Sequence, residues 1–404
     1  MKGEIEMSME LSKKAANVKP SSTLAITAKA NELKAQGIDV VGFGAGQPDF
    51  NTPENICEAA IKAIHDGFTK YTPASGTNEL REAISKKFKS FNNLDYAPEQ
   101  IIISNGGKHS LTNVFQAILN PGDEVIIPAP YWLSYPEIVK LFDGVPVYAY
   151  TTKEENYKIT PELIERSITP KTKAIIFNSP NNPTGMVYSE EELRAIAEVV
   201  VKHDIYAVAD EMYEMLVYGG QKFTSLASLG KEIYDHTITV SGLSKSYAMT
   251  GWRIGYTGSS LEIAKMMGAI QSHETSNPNS IAQKGAYEAL VGPQDEVARM
   301  KEAFEERKSY IYNRVKEIPY LSCLEPEGAF YLFVDCSEAL THTYKGQKID
   351  IMEMARILLE EYHVAVVPCK DFGFPQHMRL SYAISIETIG KGIDRIAEFI
   401  KNLD

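Results

Sequence analysis

Apolar positions along the chain follow two rhythms. Between about residues 100 and 258, short Ile/Val/Ala-rich runs recur: Ile101–Ser104, Glu124–Ala129, Val145–Tyr150, Ala174–Asn178, Tyr206–Asp210, Thr237–Val240 and Ile254–Gly258. Several are unbroken rather than alternating, as expected of strands covered on both faces. Helix-period segments lie between them, at 108–118, 134–142, 161–168, 189–202 and 261–270. This alternation predicts an α/β fold with a mostly parallel seven-stranded sheet. In such sheets ligands sit outside the carboxyl ends of the strands. Gly106 to Lys108, Tyr131, Trp132, Asn182, Asp210 and Lys245 each follow a candidate strand.

The flanking pattern differs. Residues 8–36 read as a lead-in and a helix, with Ser21, Ser22 and Thr23 as capping hydroxyls, Leu24, Ala28 and Leu33 as the apolar face, and Gly37 as the stop. Helices are expected at 53–66 and 77–90. After a long amphipathic helix at 294–317 come short strands at Ala329–Cys336, Val364–Val367 and Met378–Ala383, and helices near 350–362 and 388–402. The expected organisation is a large α/β domain over 48–294 and a smaller α+β domain built from 1–47 and 295–404.

Composition narrows the function. The 404 residues suit two domains, with 44% hydrophobic and 23% charged residues, as in globular proteins that bury a large core. A formal net charge of −12 argues against nucleic acid or an anionic membrane as partner. No apolar run approaches the ~20 residues of a spanning helix, and Met1-Lys-Gly-Glu-Ile-Glu lacks a signal-peptide core. Cys57, Cys323, Cys336 and Cys369 are scattered, with no metal-ligand spacing. The expectation is a cytoplasmic protein with reduced thiols and no metal.

The stretch Val240-Ser-Gly-Leu-Ser-Lys-Ser-Tyr-Ala-Met-Thr-Gly-Trp-Arg-Ile-Gly255 concentrates the candidate chemistry. A lysine at the exit of a buried strand loses hydration, which lowers its pKa and frees the amine as a nucleophile or Schiff-base former. Ser244 and Arg253 supply donors of the kind a phosphate monoester needs. Together they point to pyridoxal phosphate, a carbonyl cofactor carrying a phosphate ester; a solvated lysine in a Gly/Ser turn is the equally weighted alternative. Ser104-Asn-Gly-Gly-Lys108 can present amides to a dianion or be a plain strand-to-helix turn. Asp210 ends an apolar strand, where a carboxylate is costly unless paired with a cation, or else serves as a cap. Asn178-Ser-Pro-Asn-Asn-Pro-Thr-Gly185 is a rigid turn. Arg379, between apolar neighbours, is either structural or a fork for a carboxylate.

These segments resemble, in order, the motifs of the class I and II aminotransferases. Gly242, Ser244, Lys245, Gly251, Arg253 and Gly255 match the cofactor-lysine signature, Asp210-Glu-Met-Tyr213 matches D-E-x-Y, and Asn178 to Gly185 matches N-x-P-x-N-P-T-G. The resemblance, which runs from about residue 17 to the end, implies the fold type I of pyridoxal phosphate enzymes. It implies that Lys245 holds the cofactor aldehyde as a Schiff base and carries out a 1,3-proton shift. It implies a phosphate site from Gly107, Lys108, Ser244 and Arg253, a ring stacked on Trp132, Asp210 at the ring nitrogen, and Asn182 and Tyr213 at the 3′-oxygen. The substrate carboxylate falls to Arg379, Asn182 and the Gly46 amide, with Trp132 beside it. Tyr71, in Tyr71-x3-Ser75-Gly76-x3-Leu80-Arg81, is implied to reach the phosphate of a neighbouring subunit, hence a homodimer with shared sites. Gly242 stands where the family often has serine, so a phosphate contact is lost or passes to Ser241.

Lys108 follows two glycines as in aspartate aminotransferases of the class I beta subgroup, where this lysine meets the distal carboxylate. The implied reaction moves the amino group of aspartate to 2-oxoglutarate. A prephenate or aromatic aminotransferase is the runner-up, with Lys19 and Thr23 near the pocket concerned. A pyridoxal phosphate C–S β-lyase would release pyruvate from cystathionine without an acceptor keto acid. A transcriptional regulator with this fold would carry a winged helix before it, and only about 16 residues precede the matched region.

Overall fold

The computed structural model describes Ser12 and residues 22–404. Seven strands form one sheet: β1 (Ile101–Ser104), β2 (Glu124–Ala129), β3 (Val145–Tyr150), β4 (Thr172–Asn178), β5 (Tyr206–Asp210), β6 (Thr237–Gly242) and β7 (Gly255–Gly258), in the order β1-β7-β6-β5-β4-β2-β3. Only β7 runs against the rest. Successive residues of a strand point to opposite faces, so an unbroken apolar run fills two cores. Ile176, Val208 and Val240 pack on one face with Leu111 and Val114 of the helix Gly107–Ile118. Ile175, Ala207 and Ala209 pack on the other with Ile196 and Val200 of the helix Glu190–Lys202.

A four-stranded antiparallel sheet, β8 (Ser322–Cys323), β9 (Tyr331–Asp335), β10 (Val367–Pro368) and β11 (His377–Ser381), has the order β10-β11-β9-β8. Its core joins Leu332, Val334 and Leu380 to Phe304, Ile357 and Ile393 from three helices, and also to Val41 and Phe43 from the N-terminal side. The stretch expected as one strand at 364–367 is divided. Val364–Ala365 pairs in parallel with Val41–Gly42, whereas Val367 and Pro368 pair with β11.

One expectation needs correction, and one element was missed. The first described helix, Ser22–Ala35, buries Ile26, Ala30 and Leu33 against Ile38, Val40, Leu359 and Ala365, while Ala28 faces solvent. Ile26, Ala30 and Leu33 follow the i, i+4, i+7 stripe, so Leu33 is on the packed face as expected and Ala28 is not, while Ser21 and the side chains of Ser22, Thr23 and Leu24 lie outside the described residues. The helix Ser280–Val291 has no counterpart in the apolar pattern of the sequence. Its buried positions are small or polar (Ala282, Gln283, Gly285, Ala286, Ala289) and give little apolar periodicity.

Directly behind Asp210 lies a buried polar cluster. The ammonium of Lys87 pairs with Glu214, Asn92 Nδ2 donates to Glu211 (3.1 Å) and Glu214 (2.6 Å), and Ser225 donates to Glu211 (2.6 Å). Burial and the neighbouring Glu214 push Glu211 up from 4.5 to about 8. Between those values the folded protein holds a proton that the unfolded chain has released, so stability falls as pH rises through this window. Glu211→Gln, which resembles the protonated form, should flatten the decline of Tm between pH 5 and 8. Thermal melts across that range check this; an unchanged slope would assign the proton elsewhere.

Candidate active site

A cavity of about 440 Å³ opens where β1, β2, β4, β5 and β6 end. The loop Gly44 to Gln47 closes one side, and Tyr331 of β9 and Arg379 of β11 close another. Gly46, Gly107, Lys108, Trp132, Asn182, Asp210, Tyr213, Ser244, Lys245, Arg253 and Arg379 all line it. Tyr71 does not: its ring is 91% exposed.

Lys245 Nζ donates to the Gly46 carbonyl at 2.7 Å. Burial, then the guanidinium groups of Arg253 and Arg379, bring the amine down to about 8, with Asp210 opposing them. About a tenth is thus the free base at pH 7, far more than for an ordinary lysine.

Asp210 is buried and accepts two hydrogen bonds from the protein. Tyr135 donates its phenol proton to Oδ2 at 2.7 Å, and the Met212 amide donates to Oδ1 at 3.1 Å. Burial still lifts the carboxyl to about 6, while the Tyr135 and Met212 hydrogen bonds and the Lys245 charge act to lower it. Tyr135 escaped the sequence reading. It lies three residues after Trp132, and both rings, in edge-to-face contact at 5.4 Å, line the cavity. Of the contacts that favour the anion, the phenol hydrogen bond is the strongest. Tyr135→Phe should therefore move the Asp210 titration to higher pH, which carboxyl 13C NMR of the cofactor-free protein would register. A shift in the opposite direction would contradict the assignment.

The turn Asn105-Gly106-Gly107 and Arg253 are fitted to each other. Arg253 adopts φ 58° and donates to the carbonyls of Thr250 (2.8 Å) and Asn105 (3.4 Å). Gly106 has φ 89°, and a Cβ there would overlap the Arg253 guanidinium. A Cβ at Gly255 would overlap the backbone of Gly107. The glycines thus let a helix start, with its free amides, and a guanidinium share one end of the cavity.

Gly242 lies outside that lining. A Cβ there would sit 3.0 Å from the Ile254 carbonyl, a tight contact that asks the neighbouring backbone to give by a few tenths of an ångström. Nor does Ser241 take over, as expected from the sequence. Its hydroxyl donates to Glu214 at 2.5 Å within the buried cluster, because side chains alternate along β6. Ser244 is the serine of this segment that lines the cavity.

Arg379 is buried over the ring of Tyr331 (4.4 Å) and beside Phe372. Its guanidinium donates to Asn182 Oδ1 (3.0 Å) and the Gly44 carbonyl (3.1 Å), while Nε is buried without a partner. Tyr213 and Tyr331 share a hydrogen bond of 2.8 Å. Lys108 Nζ sits 4.9 Å from the Trp132 ring centre, its pKa lowered by burial and then by Arg253. Tyr331 was missed because its run reads only as a buried strand; Lys19 and the Thr23 side chain fall outside the described residues.

The arrangement fits pyridoxal phosphate. Amides at a helix start, Ser244 and Arg253 match a phosphate, Trp132 a flat ring, Asp210 a ring nitrogen, and Lys245 an aldehyde. The unpartnered Nε of Arg379 is a donor suited to an entering carboxylate.

Comparison with known proteins agrees. The family description "Aminotransferase class I and II" matches residues 38–396. The aspartate aminotransferase of Bacillus subtilis (strain 168) is 52% identical, covering 97% of this chain and 99% of that protein. A probable aspartate/prephenate aminotransferase of Aquifex aeolicus is 46% identical, covering 97% and 99%. Among solved structures, the aspartate aminotransferase of Thermus thermophilus with maleate superposes with a TM-score of 0.92 at 44% identity, covering 97% of this chain and 100% of that one. The enzyme from Rhizobium meliloti gives 0.94 at 41%, covering 98% and 100%.

Proposed function

The chain belongs to the class I and II aminotransferases, pyridoxal phosphate enzymes acting on small amino and keto acids, and from that premise we propose that it transfers the amino group of aspartate to 2-oxoglutarate. The observation that carries this reading is that two cations besides Lys245 and Arg253, namely Arg379 and Lys108, line the cavity. Two carboxylates per substrate need two such groups. The relative solved with maleate, a dicarboxylate, supports the same choice.

Bound pyridoxal phosphate supplies an aldehyde that condenses with amines and a ring that withdraws electrons from Cα. The protein does the rest. Gly107, Ser244 and Arg253 hold the phosphate end, Trp132 covers the ring face, and Asp210, oriented by Tyr135, keeps a negative charge at the ring nitrogen. Asn182 and Tyr213 serve the 3′-oxygen, and Asn182 with the Gly46 amide assists Arg379 at the α-carboxylate. Lys245, with its lowered pKa, would take the proton from Cα as a free base and return it at the former aldehyde carbon, a 1,3-shift. Closure of the smaller domain, which carries Arg379, over the 48–294 domain completes the enclosure. The 91% exposed Tyr71 finds its use in a homodimer, where it reaches the phosphate of the second copy. We place this enzyme in the cytoplasm; no described helix is long and apolar enough to cross a membrane, and the cysteines are free.

Lys108 provides the test. Lys108→Ala should lower kcat/KM for aspartate about 30- to 100-fold, the worth of one buried charge-assisted contact, and that for alanine far less. Equal losses would remove aspartate as the designed substrate. Prephenate as amino acceptor is the second reading, favoured by relatives named for both activities, and belongs in the same assay panel.

A further inference from the structure

Tyr71 is exposed, yet the loop that follows it is held by two buried glutamines. Gln271, from the helix Leu261–Glu274, has no exposed surface. Its Nε2 donates to the carbonyls of Ala74 (2.6 Å) and Ile103 (2.7 Å), and its Oε1 accepts from Ser104 Oγ (2.7 Å) and Asn113 Nδ2 (2.8 Å). Gln283, from the helix Ser280–Val291, is 1% exposed. Its Nε2 donates to Thr72 Oγ1 (3.1 Å) and the Pro278 carbonyl (2.8 Å), and its Oε1 accepts from the Thr77 amide (2.8 Å). The Ile103 amide adds a bond to the Ser75 carbonyl at 3.1 Å.

The bonds of Gln271 join two places of different use, and those of Gln283 brace the first of them against Pro278. Thr72, Ala74 and Thr77 belong to the loop that presents Tyr71. Ile103 and Ser104 end β1 and lead directly into the Asn105-Gly106-Gly107 turn at the phosphate end of the cavity. A primary amide with both donors and its oxygen engaged fixes its neighbours in angle as well as distance. An apolar residue of the same size would fill the space without doing so.

We propose that Gln271 and Gln283 are positioning residues for the cofactor phosphate: Gln271 ties the Tyr71 loop to β1 and Gln283 ties it to Pro278 at the foot of the helix Ser280–Val291, so that the phenol arrives at the second copy's phosphate without further ordering. This rests on the reading that Tyr71 serves a partner copy. Preorganisation of this kind acts on affinity by sparing the entropy of fixing the loop.

The test uses the cofactor-free dimer and two probes, pyridoxal phosphate and pyridoxal, which share the ring and differ in the phosphate. Binding is followed by quenching of tryptophan fluorescence, Trp132 lying in the cavity. Gln283→Met should weaken pyridoxal phosphate about tenfold, the worth of one hydrogen bond to a charged group, and leave pyridoxal within about twofold. Tyr71→Phe should show the same selectivity, and the double variant should be no weaker than the worse single one. Thr72→Val, which removes a partner of Gln283 at a partly exposed site, covers the case in which Gln283→Met fails to fold. Equal losses for both probes, additive losses in the double variant, or wild-type affinity throughout would each overturn the proposal. With aspartate turnover retained, these outcomes leave the proposed function standing. A wild-type protein that is monomeric, or binds both probes equally, removes the partner-site reading along with the inference.

Discussion

Replacing Lys245 with alanine is expected to lower kcat by at least ~10⁴-fold and to abolish covalent retention of the cofactor. Two contributions disappear together. One is nucleophilic attachment, and the other is proton transfer, which alone accounts for 10²–10⁴-fold in typical enzymes. The other lysine lining the cavity, Lys108, cannot stand in, because its ammonium is held against the Trp132 ring. Lys245→Arg separates charge from chemistry: a guanidinium keeps the cation but never becomes a base near neutral pH, so it should fail as alanine does. Neither change should cost much stability. Lys245 contributes one hydrogen bond, to the Gly46 carbonyl, and its charge sits unfavourably beside Arg253 and Arg379. Single-turnover absorbance, and mass spectrometry after borohydride treatment, report the chemistry, while a melt reports the fold. Turnover within 100-fold of wild type, or cofactor still attached after reduction, would assign the amine to another residue.

Why that lysine was legible in sequence, and Tyr135 was not, has a physical explanation. Unbroken apolar runs mark strands whose faces are both covered; the seven runs lie in one sheet, and five of the parallel ones, β1, β2, β4, β5 and β6, end at the cavity. Residues that follow such runs are brought together by topology alone, which is why Gly107, Trp132, Asn182, Asp210 and Lys245 could be read from position. Tyr135 and Tyr331 act through contacts made across elements, to Asp210 from 75 positions away and to Tyr213 from 118. No local spacing encodes those pairs. Ser241 illustrates the converse. Adjacent to Gly242 in sequence, it belongs to the opposite face of β6, where Glu214 and Lys87 already claim it. The helix Ser280–Val291 stayed hidden because Gly285 packs under the Trp252 ring and Gln283 binds a loop, so shape and hydrogen bonding replace an apolar stripe.

Arg379→Lys carries the second large expectation: kcat/KM for every amino acid should fall ~10²- to 10³-fold, with aspartate and alanine losing equally. A lysine retains the charge, but it cannot present two parallel N–H groups to a carboxylate. It also loses the geometry that this site is built around. The planar guanidinium lies 4.4 Å from the Tyr331 ring centre while donating sideways to Asn182 and Gly44. An ammonium in the same space leaves the Asn182 oxygen and the Gly44 carbonyl competing for one point charge. Truncating a buried, hydrogen-bonded cation costs about 2–5 kcal/mol, which is the origin of the expected range. Since the α-carboxylate is common to all substrates, the loss should not depend on the side chain, in contrast to Lys108→Ala. The two variants therefore divide recognition into a shared part and a selective part. If Arg379→Lys instead discriminated between aspartate and alanine, the guanidinium would be reading the distal carboxylate, and the roles of Arg379 and Lys108 would have to be exchanged.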